Sequence, residues 1–124
     1  DKLGEAPIRD LCRRLGLEAQ AEDMVLAARL HHKVHSLRGM RPAGVLDLIQ
    51  EVRGTALGVE GLARVCQADA QGRGGAKAQD PYPEGTLLHR SLRALEGATP
   101  MNWAGTPDHL RQIQIEAIRT VLAE

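Results

Sequence analysis

Aromatic residues are almost missing from this chain. Phenylalanine does not occur, and Tyr82 and Trp103 are single instances among 124 residues. A core without aromatic rings must be built from Leu, Ile, Val and Ala, a set that favours helices over strands. No apolar run approaches the roughly 20 residues that a bilayer crossing needs, so no membrane partner is expected. Net charge is missing too, since 16 basic residues balance 16 acidic ones. That balance excludes a protein that coats nucleic acid through bulk positive charge. It leaves room for a local patch, because thirteen of the cations are Arg. Cysteine is scarce. Cys12 and Cys66 lie far apart with no metal-binding spacing, and read as small core residues of a reduced, cytoplasmic protein rather than as a disulfide. The first ten residues, DKLGEAPIRD, hold charges, Gly and Pro where a leader would hold an apolar run, so no signal peptide is expected.

Helical periodicity is what the chain does have. Ile8, Leu11, Cys12 and Leu15 share one face of a short first helix, with Gly16 as its stop. A second helix over about 22–36 carries the stripe Leu26, Leu30, Val34 and Leu37. A third opens at Pro42, turns Val45, Leu48, Ile49 and Val52 inward, and ends at Gly54. A fourth over about 59–71 turns Val59, Leu62, Val65 and Cys66 inward, and Asp69 continues that stripe. GRGGAKAQDPYP is rich in Gly and Pro and reads as a loop. A fifth helix follows Pro83 and ends at Gly97, with Leu88, Leu92 and Leu95 inward. The last has Thr106 as N-cap and Pro107 at its first position, with Leu110, Ile113, Ala117 and Val121 inward. Nothing alternates with period two for long. The expected fold is all-α, a single compact domain of five to seven helices with short connections.

Three features can carry chemistry. His31 and His35 sit at i, i+4 on the second helix, a spacing that lets two imidazoles share a metal or, more simply, lets both serve as hydrogen-bonded core-edge residues. Asp69, at an inward position, is expected to be buried and to need a partner. That partner can be a histidine, Arg73 one turn on, or a metal. With at most these three ligands, no tight metal site is expected. Basic residues gather at Arg13 and Arg14, at Arg38 and Arg41, and at Arg73 and Lys77, places that suit phosphate contacts as well as plain solvation. There is no P-loop, nucleophile elbow or HExxH pattern, and no catalytic residue is assigned.

These pieces occur in a telling order: LCRRLGL, LHHKVH, MRPAGVLDLI, CQADAQGR, then PYP before an apolar helix. Over roughly residues 3–95 the chain resembles the C-terminal part of bacterial CCA-adding enzymes, in the tRNA nucleotidyltransferase branch that carries an HD-type phosphohydrolase domain. The segment Cys66 to Arg73 is the most specific match, and Leu30 stands where that family often has Phe. The resemblance implies that residues 1–76 form the C-terminal half of an HD-like helical domain, with 77–124 a helical tail packed on it. It implies a parent enzyme whose N-terminal nucleotidyltransferase head uses Mg with ATP and CTP. That head and the family's His-Asp doublet have no counterpart within these residues, so the chain is expected to be non-catalytic. His31, His35 and Asp69 would lie near a divalent metal only in a complete HD domain. The partner implied is tRNA, with its acceptor and T arms held by Arg38, Arg41, Arg73, Lys77, Arg13 and Arg14. Two other readings remain: a stand-alone helical interaction module, or the remnant of a metal-dependent phosphohydrolase.

Overall fold

A computed structural model describes residues 5–14, 16, 20–72 and 81–124. Among these residues the secondary structure is helical throughout, with no strand. The helices are α1 (Glu5–Arg14), α2 (Ala21–His35), α3 (Pro42–Arg53), α4 (Gly58–Gln71), α5 (Pro83–Gly97) and α6 (Pro107–Leu122), and one 3-10 turn, Leu37–Gly39, joins α2 to α3. The local signals act as expected. Pro42, Pro83 and Pro107 each stand in a first helical turn, where a missing N–H costs nothing. The Thr106 hydroxyl accepts the His109 N–H at 3.1 Å and caps α6. Gly58 begins α4 at φ +67°, a left-handed conformation that glycine adopts without a Cβ clash.

One aliphatic core draws on α2 to α6. Leu30, Val34, Leu37, Val45, Leu46, Ile49, Val52, Cys66, Leu95 and Ile118 have no exposed surface. Described residues on both sides of 73–80 share this core, since Leu88, Leu95, Ile115 and Ile118 join the cluster formed by α2, α3 and α4. α3 lies centrally, packed on α4, α5 and α6, while α1 packs on α2. Exposed ion pairs stitch the same elements together: Arg9–Glu22 between α1 and α2, Arg29–Glu51 between α2 and α3, and Arg111–Asp47 between α6 and α3. At exposed positions solvent screens such pairs, so they add little to stability.

Two helix phases differ from expectation. On α4 the inward residues are Val59, Leu62, Ala63 and Cys66, while Val65 is 43% exposed. Asp69, one turn beyond Val65, shares its flank, and its side chain is 49% exposed. The apolar stripe of α4 does not carry on to the last turn, so the aspartate meets water instead of the core. On α6 the buried residues are Gln114, Ile115, Ile118 and Val121, with Leu110, Ile113 and Ala117 only partly covered. The helix is rotated because α5 and α3 both press on its Ile115–Ile118 side. Leu46 is a further core residue that the sequence stripe omits. Cys66 is a buried free thiol, and burial, aided by the charge of Asp69, pushes its pKa up to about 11. Nothing is described of the Cys12 side chain.

Candidate functional site

The last two turns of α2 carry His31, His32 and His35. The rings of His31 and His32 have centroids 4.0 Å apart, and those of His31 and His35 lie 5.8 Å apart, edge to face. The neighbours of each of the two key imidazoles select which ring nitrogen donates. Nδ1 of His31 bonds to the carbonyl oxygen of Ala28, which can only accept, so Nδ1 is the donor and, in the neutral ring, Nε2 has the lone pair. Nε2 of His35 lies 2.9 Å from Oδ2 of Asp69, a carboxylate that accepts, so here Nε2–H is the donor. In the neutral ring Nδ1 of His35 then has the lone pair, and the Tyr82 hydroxyl, 2.7 Å away, is placed to donate to it.

Three separate elements meet at this imidazole. His35 ends α2, Asp69 stands in the last turn of α4, and Tyr82 is the N-cap of α5. Tyr82 is half-buried, stacked edge to face on His35 with centroids 5.6 Å apart, and packed against the core. Burial is the main reason its hydroxyl is held far above the usual tyrosine range, with the charges of nearby acidic groups adding to it. It therefore remains a neutral donor. A hydroxyl on a half-buried ring needs a partner, and His35 supplies it from 47 residues away in the chain. Of the partners considered for Asp69, the histidine is the one observed; Arg73 lies outside the described residues.

Beside this corner an open groove of about 380 Å³ runs between α2 and α4. Met24, Ala27, Ala28, Leu57 and Val65 line it, together with the polar side chains of His31, Asp23 and Asp69.

The basic residues divide into spent and unspent charges. Arg9, Arg14, Arg29, Arg90, Arg111 and Arg119 each face a carboxylate. Arg14 pairs with Asp10 one turn back, and Arg13 beside it is exposed at the end of α1. Arg38 and Arg41 are exposed and have no ion pair among the described residues. They sit in one connection: Arg38 in the 3-10 turn, Arg41 as the N-cap of α3, whose side chain makes no capping bond. The free N–H groups of that first turn and the two guanidinium groups give this corner a positive character. Lys77, like Arg73, lies outside the described residues.

Comparison with known proteins decides the family. A "Multifunctional CCA protein" of Laribacter hongkongensis is 38% identical over 110 residues, which is 85% of this chain and 27% of that protein. Proteins of the same name from Nitrosococcus oceani and Ralstonia nicotianae are each 32% identical, over 94% and 90% of this chain and 31% and 28% of their own lengths. The chain belongs to the multifunctional CCA protein family. It spans less than a third of the length of these relatives and corresponds to a C-terminal part of them. No family model matches the chain, and no solved structure matches it.

The likeness to the CCA proteins raises the divalent metal of a complete HD domain, and the donor set allows a test of it. His31 offers Nε2, but both ring nitrogens of His35 are engaged, by Tyr82 and Asp69. Among the described residues no group of three His, Cys, Asp or Glu side chains is arranged to hold a metal ion. The residues in this arrangement do not fit the metal.

Proposed function

We propose that the chain is the helical, RNA-holding portion of a CCA tRNA nucleotidyltransferase, the enzyme that adds CCA to the tRNA 3′ end. In this reading a nucleotidyltransferase head, using Mg with ATP and CTP, performs the chemistry in the cytoplasm. The chain supplies no catalytic residue and grips the acceptor and T arms. The observation that carries it is the 38% identity to a multifunctional CCA protein across 85% of the chain. We keep residues 1–76 as the HD-like part and 77–124 as the tail packed on it.

The chemistry required is backbone recognition. An enzyme that serves many tRNAs must read phosphate positions and helix shape rather than base edges. Two features support this mode. The chain has only Tyr82 and Trp103 as aromatic side chains, and Tyr82 is committed to His35, so it offers no platform on which successive bases can stack. Arg38 and Arg41, by contrast, have no ion pair among the described residues and stand beside an α-helix start, and their guanidinium forks suit phosphate oxygens. Arg73 and Lys77 are proposed as further phosphate contacts, with Arg13 and Arg14 as weaker ones. Zero net charge keeps binding weak, because no general field concentrates the RNA.

The apolar groove with Met24 and Val65 exposed favours a second reading, an interaction module without RNA. The test is filter binding of a tRNA minihelix to the chain and to an Arg38→Ala, Arg41→Ala double variant. The expected result is a loss of roughly tenfold or more, equal for minihelices of different sequence, from two phosphate contacts. Equal binding by the two proteins removes these arginines from the interface, and no binding by either favours the interaction module.

A further inference from the structure

The corner formed by His31, His35 and Asp69 contains most of what a metal centre needs. A histidine that ligates a metal almost always donates its other ring N–H to a carboxylate or a backbone carbonyl, which fixes the tautomer and aims the lone pair. Both imidazoles here meet that condition. His31 gives Nδ1–H to the Ala28 carbonyl, and His35 gives Nε2–H to Asp69. The ring separation is also permissive. The two ring centres are 5.8 Å apart, a length of the order spanned by two metal–nitrogen bonds of about 2.0–2.1 Å and the two ring radii.

One group stands in the way. The lone pair that His35 would offer is on Nδ1, and the hydroxyl of Tyr82 lies on it at 2.7 Å. Asp69 serves the Nε2–H of His35 through Oδ2, on the opposite side of the ring from Nδ1. We propose that Tyr82 is a blocking residue: its hydroxyl fills the coordination position of His35, so that this corner fastens α5 to α2 and α4 instead of holding a metal ion.

The blocked position explains why the phenol is placed as it is. Tyr82 is the N-cap of α5, directly before Pro83, so its backbone is held at the helix start and its ring has a fixed origin. Its edge-to-face contact with His35 and its packing on the core hold the ring in turn. A side chain held on both sides gives up its position only if the metal gains more than the hydrogen bond and the packing provide. The inference stands independently of tRNA binding, because it concerns only the choice between a fastening and a metal centre.

The experiment uses the full chain without an affinity tag, titrated calorimetrically with nickel. The wild type is expected to show no saturable site. Tyr82→Phe keeps the ring and uncovers Nδ1, and is expected to bind nickel at one equivalent, at least roughly tenfold more tightly than wild type. Adding His35→Gln to Tyr82→Phe is expected to abolish the gain. A second measurement needs no variant: the ring nitrogen shifts of His35 in the wild type, read by NMR, are expected to show Nε2 protonated and Nδ1 bare. The proposal is overturned if Tyr82→Phe binds nickel no better than wild type. It is equally overturned if the wild type has a stoichiometric site that His35→Gln removes, or if His35 carries its proton on Nδ1.

Discussion

The Tyr82 hydroxyl and Nδ1 of His35 share a hydrogen bond of 2.7 Å, and this one bond joins the first residue before α5 to the last residue of α2. Asp69 accepts from Nε2 of the same ring and extends the hydrogen-bond chain to α4. Removing the hydroxyl alone should therefore loosen a three-element junction without leaving a cavity. Tyr82→Phe is expected to lower stability by about 1 kcal/mol, the net worth of one such hydrogen bond. Urea unfolding measures this. A variant as stable as the wild type would mean that solvent replaces the bond at no cost.

The Cys66 thiol gives a pH signature. Its folded-state pKa is raised to about 11 by burial and by Asp69, against 9.0 for the unfolded chain. Between these values the unfolded chain has released a proton that the folded chain retains, so stability falls as pH rises. The expected loss from this group is at most roughly 2–3 kcal/mol on going from pH 9 to pH 11, from about 1.4 kcal/mol per unit. Cys66→Ala will be less stable at neutral pH because of the space it leaves. The gap between the two proteins should narrow across this window. Parallel stability curves from pH 8 to pH 11 would show that the thiol is not desolvated.

Ser91 is a fully buried residue of α5 whose hydroxyl has no hydrogen-bond partner among the described residues. An unpaired buried hydroxyl costs stability, and alanine is also the better helix former by about 0.5 kcal/mol. Ser91→Ala is expected to raise stability by roughly 1 kcal/mol, seen as a higher midpoint in urea. A clear decrease would mean that the hydroxyl has a partner, such as a buried water.

Much of the fold was legible in the sequence because its signals are local. The prolines at 42, 83 and 107 and the Thr106 cap act within one turn of themselves, and the helices begin where they stand. The stripes on α2 and α3 follow from period alone. The phases of α6 and of the end of α4 did not, because which flank is covered depends on neighbours: α5 and α3 select Ile115 and Ile118, and the Val65–Asp69 flank borders the open groove beside α2. The 3-10 turn at Leu37–Gly39 was absorbed into the end of the second helix, since Leu37 continues that stripe. At the site, the His31–His35 spacing and the need of Asp69 for a partner were both visible. The role of Tyr82 was not, because it comes from 47 residues along the chain to reach His35, and only the tertiary fold sets that distance.

The central claim is that this chain grips RNA through phosphates, and the salt dependence of binding tests it most directly. Association of a tRNA minihelix with the wild-type chain, followed from low to physiological salt, should fall with a log–log slope near −3 or −4, about one unit for each phosphate neutralised. Arg38→Ala with Arg41→Ala should make that slope shallower by about 2. Binding that is insensitive to salt, or a slope unchanged when both arginines are removed, would contradict the account.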